Sequence, residues 1–141
     1  MRIAILNGPN LNLVGVREPE VYGRVSLDDY FSTLETDVDL DVFQSNHEGA
    51  LIDRLHAIGF GESPPDGVIV NFGGLSHTSI ALADALRAIP QPVVEVHISN
   101  IYAREGFRQN SLTAAACVGV ITGLGLEGYR LAVEYLRSRL A

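Results

Sequence analysis

Short runs of Val, Ile and Leu alternate along the sequence with segments whose apolar residues recur at helical spacing, and this alternation leaves few architectures open. Alternating β and α segments are the signature of β-α units built around a parallel sheet. The strands predicted are Arg2–Leu6, Leu40–Gln44, Gly67–Asn71, Val93–His97 and Val118–Thr122. A first helix starts at Ser26, a good N-cap, with Asp28 and Asp29 in its first turn and Leu27, Tyr30, Phe31 and Leu34 on one face. A second runs from Glu48 to Ile58 and stops at Gly59; a third, His77 to Ala88, is capped by Ser76 and ended by Ile89-Pro90. The last, Leu126 to Leu140, buries Leu126, Tyr129, Val133, Leu136 and Leu140.

A chain of 141 residues suits one domain, residues 1–141. With short right-handed crossovers, five strands predict an α/β fold: an open, doubly wound, flavodoxin-like five-stranded parallel sheet of order 2-1-3-4-5. The longest apolar stretch, Leu112 to Leu126, is too short and too interrupted to span a bilayer. Ile3-Ala4-Ile5-Leu6 gives way at once to Asn7-Gly8-Pro9-Asn10, too short a stretch for a secretory signal, so a cytoplasmic location is expected, with no membrane partner. The lone cysteine, Cys117, reads as a small core residue.

The net charge of −7 argues against a nucleic-acid partner. All ten basic residues are arginine and none is lysine. Schiff-base, pyridoxal-phosphate and phosphate-loop chemistry are thereby excluded. Gly123-Leu124-Gly125-Leu126-Glu127-Gly128 matches the dinucleotide fingerprint literally, but the later strand with its acidic residue is missing, so a tight turn with close helix packing is the better reading. His47, His56, His77 and His97 form no close ligand pair, and no metal or other cofactor is expected. No nucleophile elbow is present.

In open parallel sheets ligands sit beyond the carboxyl ends of the strands. Those ends are polar here: Asn7-Gly8-Pro9-Asn10, Gln44-Ser45-Asn46-His47-Glu48, Asn71, and His97 with Ser99-Asn100. The long segment from Asn7 to Val25, in which Gly15 and Gly23 bound the part bearing Arg17 and Tyr22, is expected to be a hinged lid. Lid, rim, Arg104 and Arg108 would enclose a small anion among fixed cations. A binding module of the same fold, holding a hydroxy acid without turnover, fits the same residues.

Several blocks resemble one family. Asn7-Gly8-Pro9-Asn10-Leu11-Asn12-Leu13, Arg17-Glu18-Pro19 with Tyr22-Gly23, Gln44-Ser45-Asn46-His47-Glu48-Gly49, Gly73 with His77-Thr78-Ser79, and Glu95-Val96-His97-Ile98-Ser99-Asn100 with Arg104-Glu105-Gly106-Phe107-Arg108 are similar, in order, to type II 3-dehydroquinate dehydratase. The resemblance implies a cofactor-free hydro-lyase that converts 3-dehydroquinate to 3-dehydroshikimate in aromatic amino-acid synthesis. It also implies Tyr22 as base, with Arg17 and Arg108 near it, His97 as general acid oriented by Glu95, and Asn10 holding a water at the enolate. Ile98 and Ser99 would bind the substrate carboxylate, and Asn71, His77 and Arg108 the ring hydroxyls, with Gly73 beside them. Asp84 would reach a neighbouring subunit's site in a homo-oligomer, a dodecamer of trimers. A free phenol ionises near pH 10, so a tyrosine base near neutral pH needs about 4 kcal/mol of preferential stabilisation of its anion. The sequence departs from the family at Phe72-Gly73-Gly74-Leu75, where Pro-Gly-Ala and an aromatic are common, and at Ser76, where Thr is. The stretch from Ser26 to Gln44 is about one helical turn short.

Overall fold

The computed structural model describes residues 1–141. Its strands are β1 (Arg2–Asn7), β2 (Asp39–Gln44), β3 (Gly67–Asn71), β4 (Val93–His97) and β5 (Gly119–Thr122), each within one residue of its predicted bounds. They form a single parallel sheet in the order β2-β1-β3-β4-β5, the flavodoxin-like arrangement expected.

Side chains of a strand alternate between faces, so each central strand feeds two apolar layers. Ile3, Ile5, Ile69, Val94 and Val96 face α2 (Leu27–Thr33) and α5 (Glu127–Leu140). Ala4, Leu6, Val68, Val70 and Val93 face α3 (Glu48–Phe60) and α4 (Ile80–Ala88). Leu51, Leu55 and Leu82 are fully buried in the second layer, and each stabilises the fold by about 1.5–3 kcal/mol relative to exposure. No helix is long and apolar enough to cross a membrane.

Ser26 caps α2, its hydroxyl accepting from the Asp29 N–H at 3.1 Å. Two other helix ends differ from expectation. Helix α3 continues through Gly59 to Phe60; a Cβ on Gly59 would lie 2.6 Å from Ile89 Cγ2, so this glycine permits close packing and does not stop the helix. Helix α4 is capped by Ser79, which accepts from the Leu82 N–H at 3.0 Å, whereas Ser76 is the buried residue of a 3-10 turn, Gly73–His77. That turn accommodates the departure at Phe72: the ring is fully buried in the second layer, with Leu75 packed against it.

The Gly123 segment is a turn followed by a closely packed helix, as read from sequence. Gly123 has φ +87°, and a Cβ there would lie 2.8 Å from Asn100 Cβ. Helix α5 then buries Tyr129, Val133 and Leu136. The fully buried Tyr129 hydroxyl donates to Asn7 Oδ1 at 2.6 Å and accepts from Asn71 Nδ2 at 2.9 Å, joining α5 to the ends of β1 and β3. Burial holds this phenol well above its ordinary pKa, so it stays protonated and can donate. Tyr129→Phe orphans two buried amide groups and is expected to lower stability by about 2–5 kcal/mol, read as a shift of the urea midpoint at unchanged m.

Candidate active site

Strand register brings the polar ends together. Asn7 pairs with both Gln44 and Asn71, and His97 pairs with Thr122. Above this rim lies a cleft lined by Asn10, Arg17, Tyr22, Asn71, Gly73, His77, His97, Ile98, Ser99, Arg104 and Arg108. Three arginines therefore face one cleft in a chain of net charge −7.

The long segment after β1 is more ordered than expected. It contains a 3-10 turn, Leu11–Leu13, and one helical turn, α1 (Pro19–Tyr22). Pro19 suits the first helical position because it lacks an N–H. Glu18 just before it has φ 45°, a left-handed conformation costly for a residue with a side chain. Tyr22 ends the turn, partly packed on the first apolar layer.

The Tyr22 hydroxyl accepts a hydrogen bond from Arg104 Nη1 at 2.7 Å. The guanidinium carbons of Arg17 and Arg104 lie 5.8 and 5.6 Å from the ring centroid. Arg104 also donates to Ser99 Oγ at 3.3 Å, which ties it to the end of β4. The expectation that Arg108 accompanies Arg17 at this tyrosine is corrected here: Arg104 takes that place. Arg108 lines the cleft, but its Nε donates to Glu105 at 2.8 Å. That contact with Arg108, the largest influence, holds the Glu105 carboxyl below the usual range.

Across the cleft, Glu95 and His97 are two residues apart on β4 and so share a face. His97 is 5% exposed and Glu95 0%, and His97 Nε2 lies 2.8 Å from Glu95 Oε2. Burial alone would push the Glu95 carboxyl up. The combined hydrogen bonds from His97, Thr113 and Ser111 outweigh it, and the carboxyl is held below its ordinary value. His97 Nδ1 is left for a ligand. The His77 ring stacks on His97 with centroids 6.0 Å apart.

Asn10 sits at φ 69°, a conformation asparagine tolerates, and its N–H donates to Asn46 Oδ1 at 2.9 Å. The Asn46 carbonyl oxygen accepts from Gln44 Nε2 as well, at 3.1 Å, so the polar residues after β2 support the cleft without lining it. Asn71 turns its Oδ1 toward the Gly73 N–H at 3.3 Å. Asp84 is not brought to this cleft; it is exposed on α4, 3.6 Å from Arg87. Cys117 is only partly buried, and burial pushes its thiol up to about 12, leaving it neutral.

The family described as dehydroquinase class II matches residues 1–137. The chain belongs to the class II dehydroquinases. It is 55% identical over 148 aligned residues to a 3-dehydroquinate dehydratase of an Exiguobacterium strain, covering 99% of each chain. A 3-dehydroquinate dehydratase of Thermotoga petrophila is 47% identical, with 99% of this chain and 97% of that protein aligned. The crystal structure of the type II dehydroquinase from Propionibacterium acnes superposes with a TM-score of 0.90 at 41% identity, covering 97% of this chain and 96% of the other. Its counterpart from Butyrivibrio crossotus gives 0.88 at 39% identity, covering 97% of both. As a class II dehydroquinase the chain is an enzyme of the hydro-lyase type, in agreement with the resemblance carried by its sequence blocks.

Proposed function

We propose that this class II dehydroquinase reversibly dehydrates 3-dehydroquinate to 3-dehydroshikimate, with Tyr22 as base and His97 as acid. The observation that carries this reading is one cleft holding a phenol bonded to a guanidinium and an imidazole bonded to a buried carboxylate. The Tyr22 phenolate takes the C2 proton, and the electron pair moves to the C3 oxygen as an enolate. A water held by Asn10 donates to that oxygen. The enolate then re-forms the ketone, a C1–C2 double bond appears, and His97 protonates the departing C1 hydroxyl, which leaves as water. Tyr22 ends protonated and His97 neutral, and exchange with solvent restores both.

The substrate carboxylate is placed against the Ile98 and Ser99 amides, neither of which donates to another backbone carbonyl. Asn71, His77 and Arg108 bind the ring hydroxyls, and Gly73 keeps that wall low. No cofactor takes part, and with no lysine in the chain no Schiff base forms. The proposed setting is cytoplasmic, as a single-domain subunit of a homododecamer of trimers in which Asp84, exposed on α4, reaches the neighbouring site. Mixing the protein with 3-dehydroquinate and following the ultraviolet absorbance of the conjugated enone tests the reaction. Binding without absorbance at high protein concentration makes the chain a binding module instead, and borohydride must leave the activity intact.

Arg104→Ala removes the cation that donates to the Tyr22 hydroxyl at 2.7 Å. The rate is expected to fall, with Arg17→Ala lowering it less, since Arg17 makes no hydrogen bond to that hydroxyl. A kcat unmoved by Arg104→Ala would separate the base from this guanidinium.

A further inference from the structure

Four consecutive residues outside the proposed chemistry, Asn110-Ser111-Leu112-Thr113, run behind both cleft histidines. The Asn110 carbonyl accepts from His77 Nδ1 at 3.0 Å. A carbonyl oxygen can only accept, so Nδ1 carries the hydrogen and Nε2 the lone pair. The Ser111 hydroxyl donates to Glu95 Oε2 at 2.7 Å, and the Thr113 hydroxyl donates to Glu95 Oε1. Between them, the Leu112 N–H donates to the Ser76 carbonyl at 2.7 Å, tying the segment to the turn that carries His77.

Both Glu95 oxygens are therefore engaged, and the carboxylate is oriented so that Oε2 receives the His97 Nε2–H. The two rings are held in opposite senses. His77 directs an acceptor, Nε2, away from its anchor, while His97 keeps Nδ1 for proton transfer. We propose that residues 110–113 act as a positioning strap that fixes the His77 tautomer directly and the His97 tautomer through Glu95. The consequence for turnover rests on the proposed dehydration; the tautomers themselves do not.

The titratable groups facing Glu95 are His97 on its own strand and Cys117 after the strap. His97 is stacked in turn by His77. Cys117 is held neutral by burial, so it adds no charge beside Glu95. Removing a hydroxyl donor destabilises the carboxylate and raises the pH at which it takes up a proton.

The test is steady-state dehydration of 3-dehydroquinate across pH by the full-length protein, its Thr113→Val and Ser111→Ala variants, and Thr113→Ser as the conservative rescue. For each donor removed kcat is expected to fall about 10- to 100-fold, with KM little changed and the acid limb moved to higher pH. Thr113→Ser is expected to restore both. Unchanged kcat and acid limb in folded Thr113→Val and Ser111→Ala overturn the strap. Imidazole 15N shifts of the wild-type protein decide independently of any variant's folding: His77 must be protonated at Nδ1 and neutral His97 at Nε2, and the reverse on either ring overturns the proposal. A wild-type protein that does not dehydrate the substrate refutes the proposed function, while the 15N shifts still decide the strap.

Discussion

Tyr22→Phe is expected to lower kcat by about 10⁴-fold, near the upper end for loss of a general base, while the substrate dissociation constant stays close to that of the wild type. The substitution removes one oxygen and leaves the ring that packs on the apolar layer beside α2. Arg104 keeps its contact with Ser99, so the cations remain in the cleft. The lost interaction acts on the proton in flight and hardly on ground-state binding. Calorimetric titration with substrate alongside turnover measurements separates the two quantities. A variant whose kcat stays within about tenfold of the wild type, below the range for a general base, would remove Tyr22 from the role.

His97→Ala is expected to act twice. Loss of the proposed general acid lowers kcat by about 10²- to 10⁴-fold. It also strips Glu95, which is 0% exposed, of its hydrogen-bonding partner His97, and breaking a buried pair in this way costs about 3–5 kcal/mol. The sign with pH follows from the carboxyl. In the intact protein Glu95 is held below its ordinary value, so its contribution to stability is present above the carboxylate range and fades as pH falls through its folded-state pKa. Without His97 the penalty of an uncompensated anion is largest near neutrality and shrinks in acid, as the carboxyl protonates. Urea denaturation of both proteins at neutral and acid pH measures the difference, and a gap that widens toward acid contradicts the assignment.

Much of this was legible because the physics behind it is periodic. The apolar runs of β1, β3 and β4 are buried on both faces, which only a covered parallel sheet provides. Parallel strands all end at one edge, so Asn7, Gln44, Asn71 and His97 converge by topology alone. The helix ends were less readable. Gly59 and Ser76 carry the right chemistry for a stop and a cap, but packing against Ile89 and burial in a turn decided otherwise. Arg104 and Arg108 flank the same short segment, and spacing alone does not tell which meets the tyrosine. A signal was present, since Glu105 stands three residues before Arg108 and offers it a partner, leaving Arg104 to turn inward. The strap at 110–113 left no trace in the pattern, because Asn110, Ser111 and Thr113 around a single Leu112 read as an ordinary loop.

Tyr22 closes a single helical turn within a connecting segment, whereas His97 and Glu95 belong to an interior strand. The two proposed proton-transfer groups thus rest on different supports, one on a connection and the other on the sheet itself. Changes within the connection can therefore reposition the phenol while the imidazole–carboxylate pair keeps its 2.8 Å contact.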